Sequence, residues 1–444
     1  MQLPTPLARV LSRREDDPYL PGAAAAGILP RHYDLDLHVR LSNNRLTGTA
    51  TITGEAQRDT DTFVLDLVGL QASKATVNGQ AAKVKQGRSS ITITAPRTVP
   101  EGEEIVLTVK YDGAPRPRRG LWGEVGWEEL TDGVLVAGQP NGAPTWFPCV
   151  DHPAYKATFD ISCWTDAGYR AIANGALEST ARKGSQHRWV YHEAFPTSTY
   201  LAALQIGRYD VVEHTGRVGF AASNALTRRA RTALKDQEAM FALFERCFGP
   251  YPFECYTSVV CEESLEIPLE AMEMSLFGIN HMTAAWENQR LIAHEMSHQW
   301  WGNSVTLRQW RDLWIHEGFA CYSEWLWSEE SGRSTVEAEA RLAYAGLAAK
   351  PQDLVLADPG AEDMFDDRVY KRGALTVHAL RVRLGDERFF AALRAVQAAF
   401  RHAVASTDDV LAVLMEATGD DELRTVLSPW LLEPALPPFP VRAA

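Results

Sequence analysis

No stretch of this sequence approaches the roughly 20 consecutive apolar residues that span a bilayer, so a membrane-crossing helix is not expected. The opening residues, MQLPTPLARVLSRREDDPYLPG, carry charge but no apolar segment of signal-peptide length. Ala23 to Leu29 is apolar but short, and it follows the acidic pair Asp16-Asp17. A cytoplasmic location is the expectation. Basic residues are outnumbered: 44 Lys and Arg face 57 Asp and Glu, for a formal charge of −13. That balance argues against nucleic acid as a partner, because neutralising phosphates needs a basic face. Cysteine is sparse, and Cys149, Cys163, Cys247, Cys255, Cys261 and Cys321 show no C-x-x-C spacing. They read as reduced, mostly buried thiols, as suits a reducing compartment. Internal repeats and low-complexity tracts are also missing.

What is present is an ordinary globular composition, 45% hydrophobic and 23% charged over 444 residues. Such a length holds two or three domains with full cores. Residues 1–24 read as an extended arm. From Leu29 the pattern has period two: Tyr33, Leu35, Leu37 and Val39 alternate with His32, Asp34, Asp36 and His38. LTGTATITG, FVLDLVG, SITITA and EIVLTVKY continue the series, with a hairpin signal at Asn78-Gly79 and no convincing helix before Gly120. Residues 25–212 are therefore expected to form an all-β domain. Beyond it, apolar residues recur every three or four positions, as in ARTALKDQEAMFALFERCF before the Gly249-Pro250 breaker. The expected class is α+β in two domains, the second mainly helical over 213–444.

The most informative stretch is NQRLIAHEMSHQWWGNSVTLRQWRDLWIHEGFACYSEW, from Asn288 to Trp325. His294, Glu295 and His298 form His-Glu-x-x-His. On a helix, positions i and i+4 share a face, so both imidazoles can serve one ion. Glu295 lies about 100° round that helix, in reach of a metal-bound water without being a ligand. It is the expected general base. Glu317 follows His298 after eighteen intervening residues, on a second helical stretch. Two imidazoles, one carboxylate and one open position make the ligand set of a catalytic zinc, one Zn2+ per chain. Asp312 and Glu324 are candidates to hold the outer N–H of a zinc-binding histidine. His316 adjoins Glu317 but points about 100° away, which makes it a poor ligand. Cys321 reads as core.

The run HEMSHQWWGNSVT…RDLWIHEGFACYSEW resembles the zinc-binding region of the aminopeptidase N family, the gluzincin aminopeptidases that include the leukotriene hydrolase. That family's pattern is H-E-x-x-H, W-x-G-N and D-L-W-x-N-E-G-F-A, and the departure is His316 where Asn is usual. PRHYDLDLHV and QPNGAPTWFPCVDHPAYKA are similar to further family segments, with Pro144 for the usual Arg and His152 for the Glu of D-E-P. The resemblance covers nearly the whole chain, but only about the first half of a long member. The later β-sandwich and large helical domain of such members do not occur in this sequence. It implies a thermolysin-like gluzincin catalytic domain that removes N-terminal residues from peptide substrates. Three roles follow from it alone. Gln139 aligns with the Gln or Glu that contacts substrate from the β domain. Tyr370, in VYKRGAL, corresponds to the tyrosine of V-Y-E-K-G-A that supplies a phenol to the oxyanion. The glutamate of G-x-M-E-N, which holds the substrate ammonium, has two registers in EIPLEAMEMSLFG, on Glu270 or on Glu273. On a strand these two would point to opposite faces, so only one can serve; the gap-free alignment and the interval to His294 favour Glu270. A zinc endopeptidase with the same ligands and an inactive peptide-binding scaffold stay open as other readings.

Overall fold

The computed structural model describes residues 17–20 and 26–441. Most of the expected arm, residues 1–24, lies outside the described residues. Of its visible part, Asp17 is buried and accepts the Trp310 amide at 2.6 Å.

Period-two alternation builds the first domain as expected. The strand Ile28–Arg40 buries Tyr33, Leu35, Leu37 and Val39 on one face. It pairs antiparallel with Arg45–Ala56 and parallel with Ala157–Asp166 inside a ten-stranded sheet. A five-stranded sheet that includes Gly133–Ala137 and Leu204–Gly207 shares one apolar cluster with it, around Phe63, Leu107, Trp146 and Phe159.

A third sheet opens with Val211–Thr215 and Val218–Ala222 and continues through the parallel strands Tyr256–Val260 and Met274–Phe277. Its edge is the three-residue strand Leu269–Ala271, antiparallel to Met274–Phe277. Helices follow. The apolar spacing before Gly249 falls on two of them, Thr227–Ala233 and Gln237–Phe248. Three later helices carry the site: a first site helix Trp286–Ser297, a second Trp314–Glu330 and a third Asp367–Leu384. None of the described helices is long and apolar enough to cross a membrane.

The second and third site helices touch at backbone distance. A Cβ on Gly318 would stand 2.7 Å from the Gly373 Cα, so only glycine on both sides allows the crossing. That approach carries Tyr370 towards Glu317. Behind it, the Arg372 guanidinium donates to the carbonyls of Leu354, Pro429, Trp430 and Pro434, fastening the end of the described chain to the third helix. Gly373→Ala should force these backbones apart at a cost of about 1–3 kcal/mol, the usual penalty of overpacking. Thermal denaturation of the variant would show it as a clearly lowered transition; an unchanged midpoint would mean the crossing tolerates a methyl group.

Candidate metal and substrate site

The two histidines are oriented from behind. His294 Nδ1 lies 2.8 Å from the Glu324 carboxylate, and His298 Nδ1 lies 3.0 Å from the Trp301 carbonyl. Both Nε2 atoms are thereby aimed at Glu317 Oε2, at 3.3 Å from His294 and 3.6 Å from His298. Donors held about 2.1 Å from a tetrahedral zinc stand about 3.4 Å from one another. Both imidazole-to-carboxylate separations match that value, all three donor atoms lie within 4.8 Å of one another, and the donor set, two imidazoles and a carboxylate, fits such an ion.

The turn between the first two site helices secures this spacing. Trp301 stacks flat on Phe319 with centroids 3.8 Å apart. Gly302 has φ 134, a conformation that side-chain-bearing residues rarely adopt, and a Cβ there would lie 3.3 Å from His298 Nδ1. Trp-Trp-Gly-Asn is thus the hinge that returns the chain to Glu317.

Negative charge accumulates in the site. Burial holds the Glu295 carboxyl up at about 8, with Glu317 adding to it against the opposing effect of His294. Its Oε2 is buried and has no hydrogen-bond partner among the described residues. Glu270 is also held well above the usual carboxylate range, by burial first and then by Glu317 and Glu295. Burial drives His298 down to about 4. For His294 burial acts in the same direction, but its hydrogen bonds to Glu317 and Glu324 prevail and raise it to about 10. Glu324 is buried too, yet His294, Lys371 and Arg290 draw it down to about 2.

The other sequence candidates divide cleanly. Glu270, on the edge strand, accepts a hydrogen bond from Gln139 Nε2 across the domain boundary. Donor atoms of Glu270, Glu295 and His298 lie within 4.8 Å of one another. Glu273 is elsewhere. It sits in the turn beyond the strand, at φ 59, and its carboxylate accepts the amides of Glu254 (2.8 Å) and Cys255 (3.4 Å). The expectation that the two glutamates occupy opposite faces of one strand is corrected: the strand ends at Ala271, and it is the turn that separates them. The Tyr370 ring stacks on His294 with centroids 6.1 Å apart, and its phenol lies in the field of Glu317, Glu270 and Glu295.

Of the two outer-layer candidates, Glu324 reaches a histidine and Asp312 does not. Asp312 accepts the amide and hydroxyl of Thr407 instead. His316 Nε2 accepts the Leu307 amide at 2.8 Å. Cys321 is buried beside Lys371. Sequence reasoning missed Arg290, which pairs with Glu324 at 3.1 Å and lies one helical turn before His294, a spacing that could have suggested it. It also missed Tyr200, whose buried hydroxyl has no partner among the described residues and lies in the field of Glu270 and Glu317. No signal in Pro-Thr-Ser-Thr-Tyr-Leu pointed there.

Comparison with known proteins gives this geometry its context. Residues 29–201 match the peptidase M1 N-terminal domain, and residues 232–430 match the peptidase family M1 domain. An M1 zinc metallopeptidase from Deinococcus radiodurans is 30% identical, with TM-score 0.85, over 94% of this chain and 97% of that one. The chain belongs to peptidase family M1. A variant of a two-domain M1 zinc metallopeptidase bound to L-arginine superposes with TM-score 0.87 at 29% identity, over 96% of this chain and 99% of that one. The leucyl aminopeptidase of Saccharolobus solfataricus is 25% identical over 86% of this chain, and aminopeptidase M1 of Arabidopsis thaliana is 27% identical over 95%. This M1 chain spans about half the length of those curated relatives, 51% in each case.

Within this M1 site, Glu324→Ala should weaken zinc binding about 10–100-fold, as loss of an orienting carboxylate does elsewhere. Competition with a chelator measures it. An affinity equal to wild type would mean that the Glu324 contact does not orient His294.

Proposed function

We propose that the chain is a zinc-dependent aminopeptidase, a hydrolase that cleaves the N-terminal peptide bond of peptides. His294, His298 and Glu317 would hold the ion. Zinc in such a site supplies Lewis-acid polarisation of a carbonyl and acidification of water. Glu295 takes the proton of the attacking water on its unpartnered Oε2 and returns it to the amine leaving group as the C–N bond breaks. The Tyr370 phenol donates to the oxygen on which negative charge develops. One preorganised donor of that kind is worth about 10²–10³ in rate.

Glu270 supports the exopeptidase reading. It is an acid beside the metal donors with no ion-pair partner among the described residues, and it accepts a hydrogen bond from a neutral amide donor, Gln139. An ammonium ion has three N–H donors and no acceptor, and the free substrate α-amine carries that charge into the site. Gln139 Nε2 is engaged on Glu270, which leaves the Gln139 carbonyl oxygen to accept a second N–H. The six unpaired cysteines, five of them buried, support a reducing, cytoplasmic setting.

Two substitutions separate the roles. Glu295→Gln should retain zinc but lose most turnover, since an amide cannot accept the water proton; metal analysis beside a rate assay checks both, and a rate within a few-fold of wild type would assign the base to another group. Glu270→Ala should cost roughly one to two decades in kcat/KM on free-amine substrates, the worth of a charge-assisted hydrogen bond. On N-acetylated analogues the already low rate should barely move. Equal losses on both would favour an endopeptidase.

A further inference from the structure

Glu273, which lies outside the metal cluster, is buried against a second acid. Glu193 comes from the strand Gln186–Thr197 of the β domain and is fully buried. One of its oxygens accepts the Phe195 amide at 2.8 Å. The other, Oε2, receives no hydrogen bond among the described residues, and the Glu273 carboxyl faces Glu193 within side-chain hydrogen-bonding reach. Two ionised carboxylates in contact repel each other, and neither can donate. One proton between them converts the contact into an O–H···O bond.

That bond would join the β domain to the turn that sets Glu270. Glu273 takes φ 59, which non-glycine residues rarely adopt. Its amide donates to Gln299 Oε1 at 3.0 Å. Gln299 Nε2 and Asn303 Nδ2 in turn hold the Ala271 carbonyl, at 3.1 and 2.7 Å. Ala271 directly follows Glu270, and Gln299 directly follows His298. The distance between the Glu270 carboxylate and the metal donors therefore depends on this turn.

The groups facing the pair are Lys156, Tyr251, Glu254 and Cys255, with His402 stacked on the neighbouring Phe195 at 4.9 Å. Lys156 spends its ammonium on the carbonyls of Asn303 and Ser304, at 2.8 and 3.0 Å. No ion pair to Glu193 or Glu273 occurs among the described residues; Lys156 acts on Glu193 only through space, and a proton between the two acids relieves their repulsion directly. Burial holds both carboxyls above the usual range, with mutual repulsion raising Glu193 further, while burial lowers Lys156 to about 7 and His402 to about 4.

We propose that a proton shared by Glu193 and Glu273 locks the 271–274 turn to the β domain and so positions Glu270, making the grip on the substrate ammonium weaken as that proton is lost at rising pH. The inference rests on the aminopeptidase reading, and both acids are positioning residues that do not touch substrate. The sign follows from proton counts. A free glutamate releases its proton near 4.5, whereas the folded pair keeps one to higher pH. Above that value the unfolded chain binds fewer protons than the folded one, so stability falls as pH rises until the pair itself titrates. Glutamine at either position donates an N–H and does not titrate.

Wild type, Glu193→Gln and Glu273→Gln are compared from about pH 6 to about pH 9, a range that includes titration of the substrate amine, which is common to all three and cancels in ratios. The melting-point difference, variant minus wild type, should grow more positive with pH. The ratio of wild-type KM to Glu193→Gln KM on a free-amine substrate should rise several-fold over the same range while the kcat ratio stays near one. Melting differences that are flat with pH in both variants would overturn the shared proton. Rising differences with a flat KM ratio would overturn the positioning role. A wild type with no turnover at any pH overturns the aminopeptidase reading and with it the grip on the ammonium, whereas the melting comparison reports on the proton independently of any substrate.

Discussion

The interaction on which the site depends is an imbalance of charge. Glu270, Glu295 and Glu317 converge on two imidazoles, and no lysine or arginine forms an ion pair with any of the three among the described residues. An uncompensated buried carboxylate costs about several kcal/mol even after relaxation. Glu317 has the His294 imidazole beside it, whereas Glu270 and Glu295 hold their protons to raised pH and, as carboxylates, need a cation to complete the charge. A dication on the histidine side and a substrate ammonium on the Glu270 side are what these positions accommodate. The cations that could have neutralised the acids stand one layer back. Arg290 pairs with Glu324, Lys371 acts on it electrostatically, and Glu324 orients His294. They support the ligand geometry without filling the site.

The scaffold holds this arrangement through polar bolts between the domains as much as through apolar packing. Gln139 reaches Glu270 from the β domain, Asn174 Nδ2 holds the Met272 carbonyl at 2.8 Å, and Lys156 ties down the turn after the first site helix. The edge strand carrying Glu270 is three residues long and has a strand partner on one side only, so by itself it would be a weak platform. These side-chain bonds make it rigid. The β domain is consequently part of the site.

Local pattern made much of this legible in the sequence. Alternation at Tyr33 to Val39 gives a strand because period two is a property of the strand itself, and His294 with His298 gives a shared face because helical period is equally local. Glu317 was within reach because only a turn, the short strand Thr306–Leu307 and the 3-10 segment Trp310–Asp312 separate its helix from His298. What stayed hidden depends on contacts between segments far apart in the chain. Tyr200 enters the field of Glu270 from 70 residues away, and Glu193 meets Glu273 from 80 residues away, with no periodicity to announce either. The choice between Glu270 and Glu273 belongs to the same class. It turns on where a three-residue strand ends, and element ends are set by tertiary bonds such as that from Asn303 to Ala271.

The central claim, that one wall of the site exists to receive a free ammonium group, is tested most directly without turnover. Zinc-loaded Glu295→Gln protein is titrated calorimetrically with a tripeptide and with its N-acetylated form. The free tripeptide should bind at least about ten-fold more tightly, the equivalent of one charge-assisted hydrogen bond. Equal affinity for the two forms would contradict it.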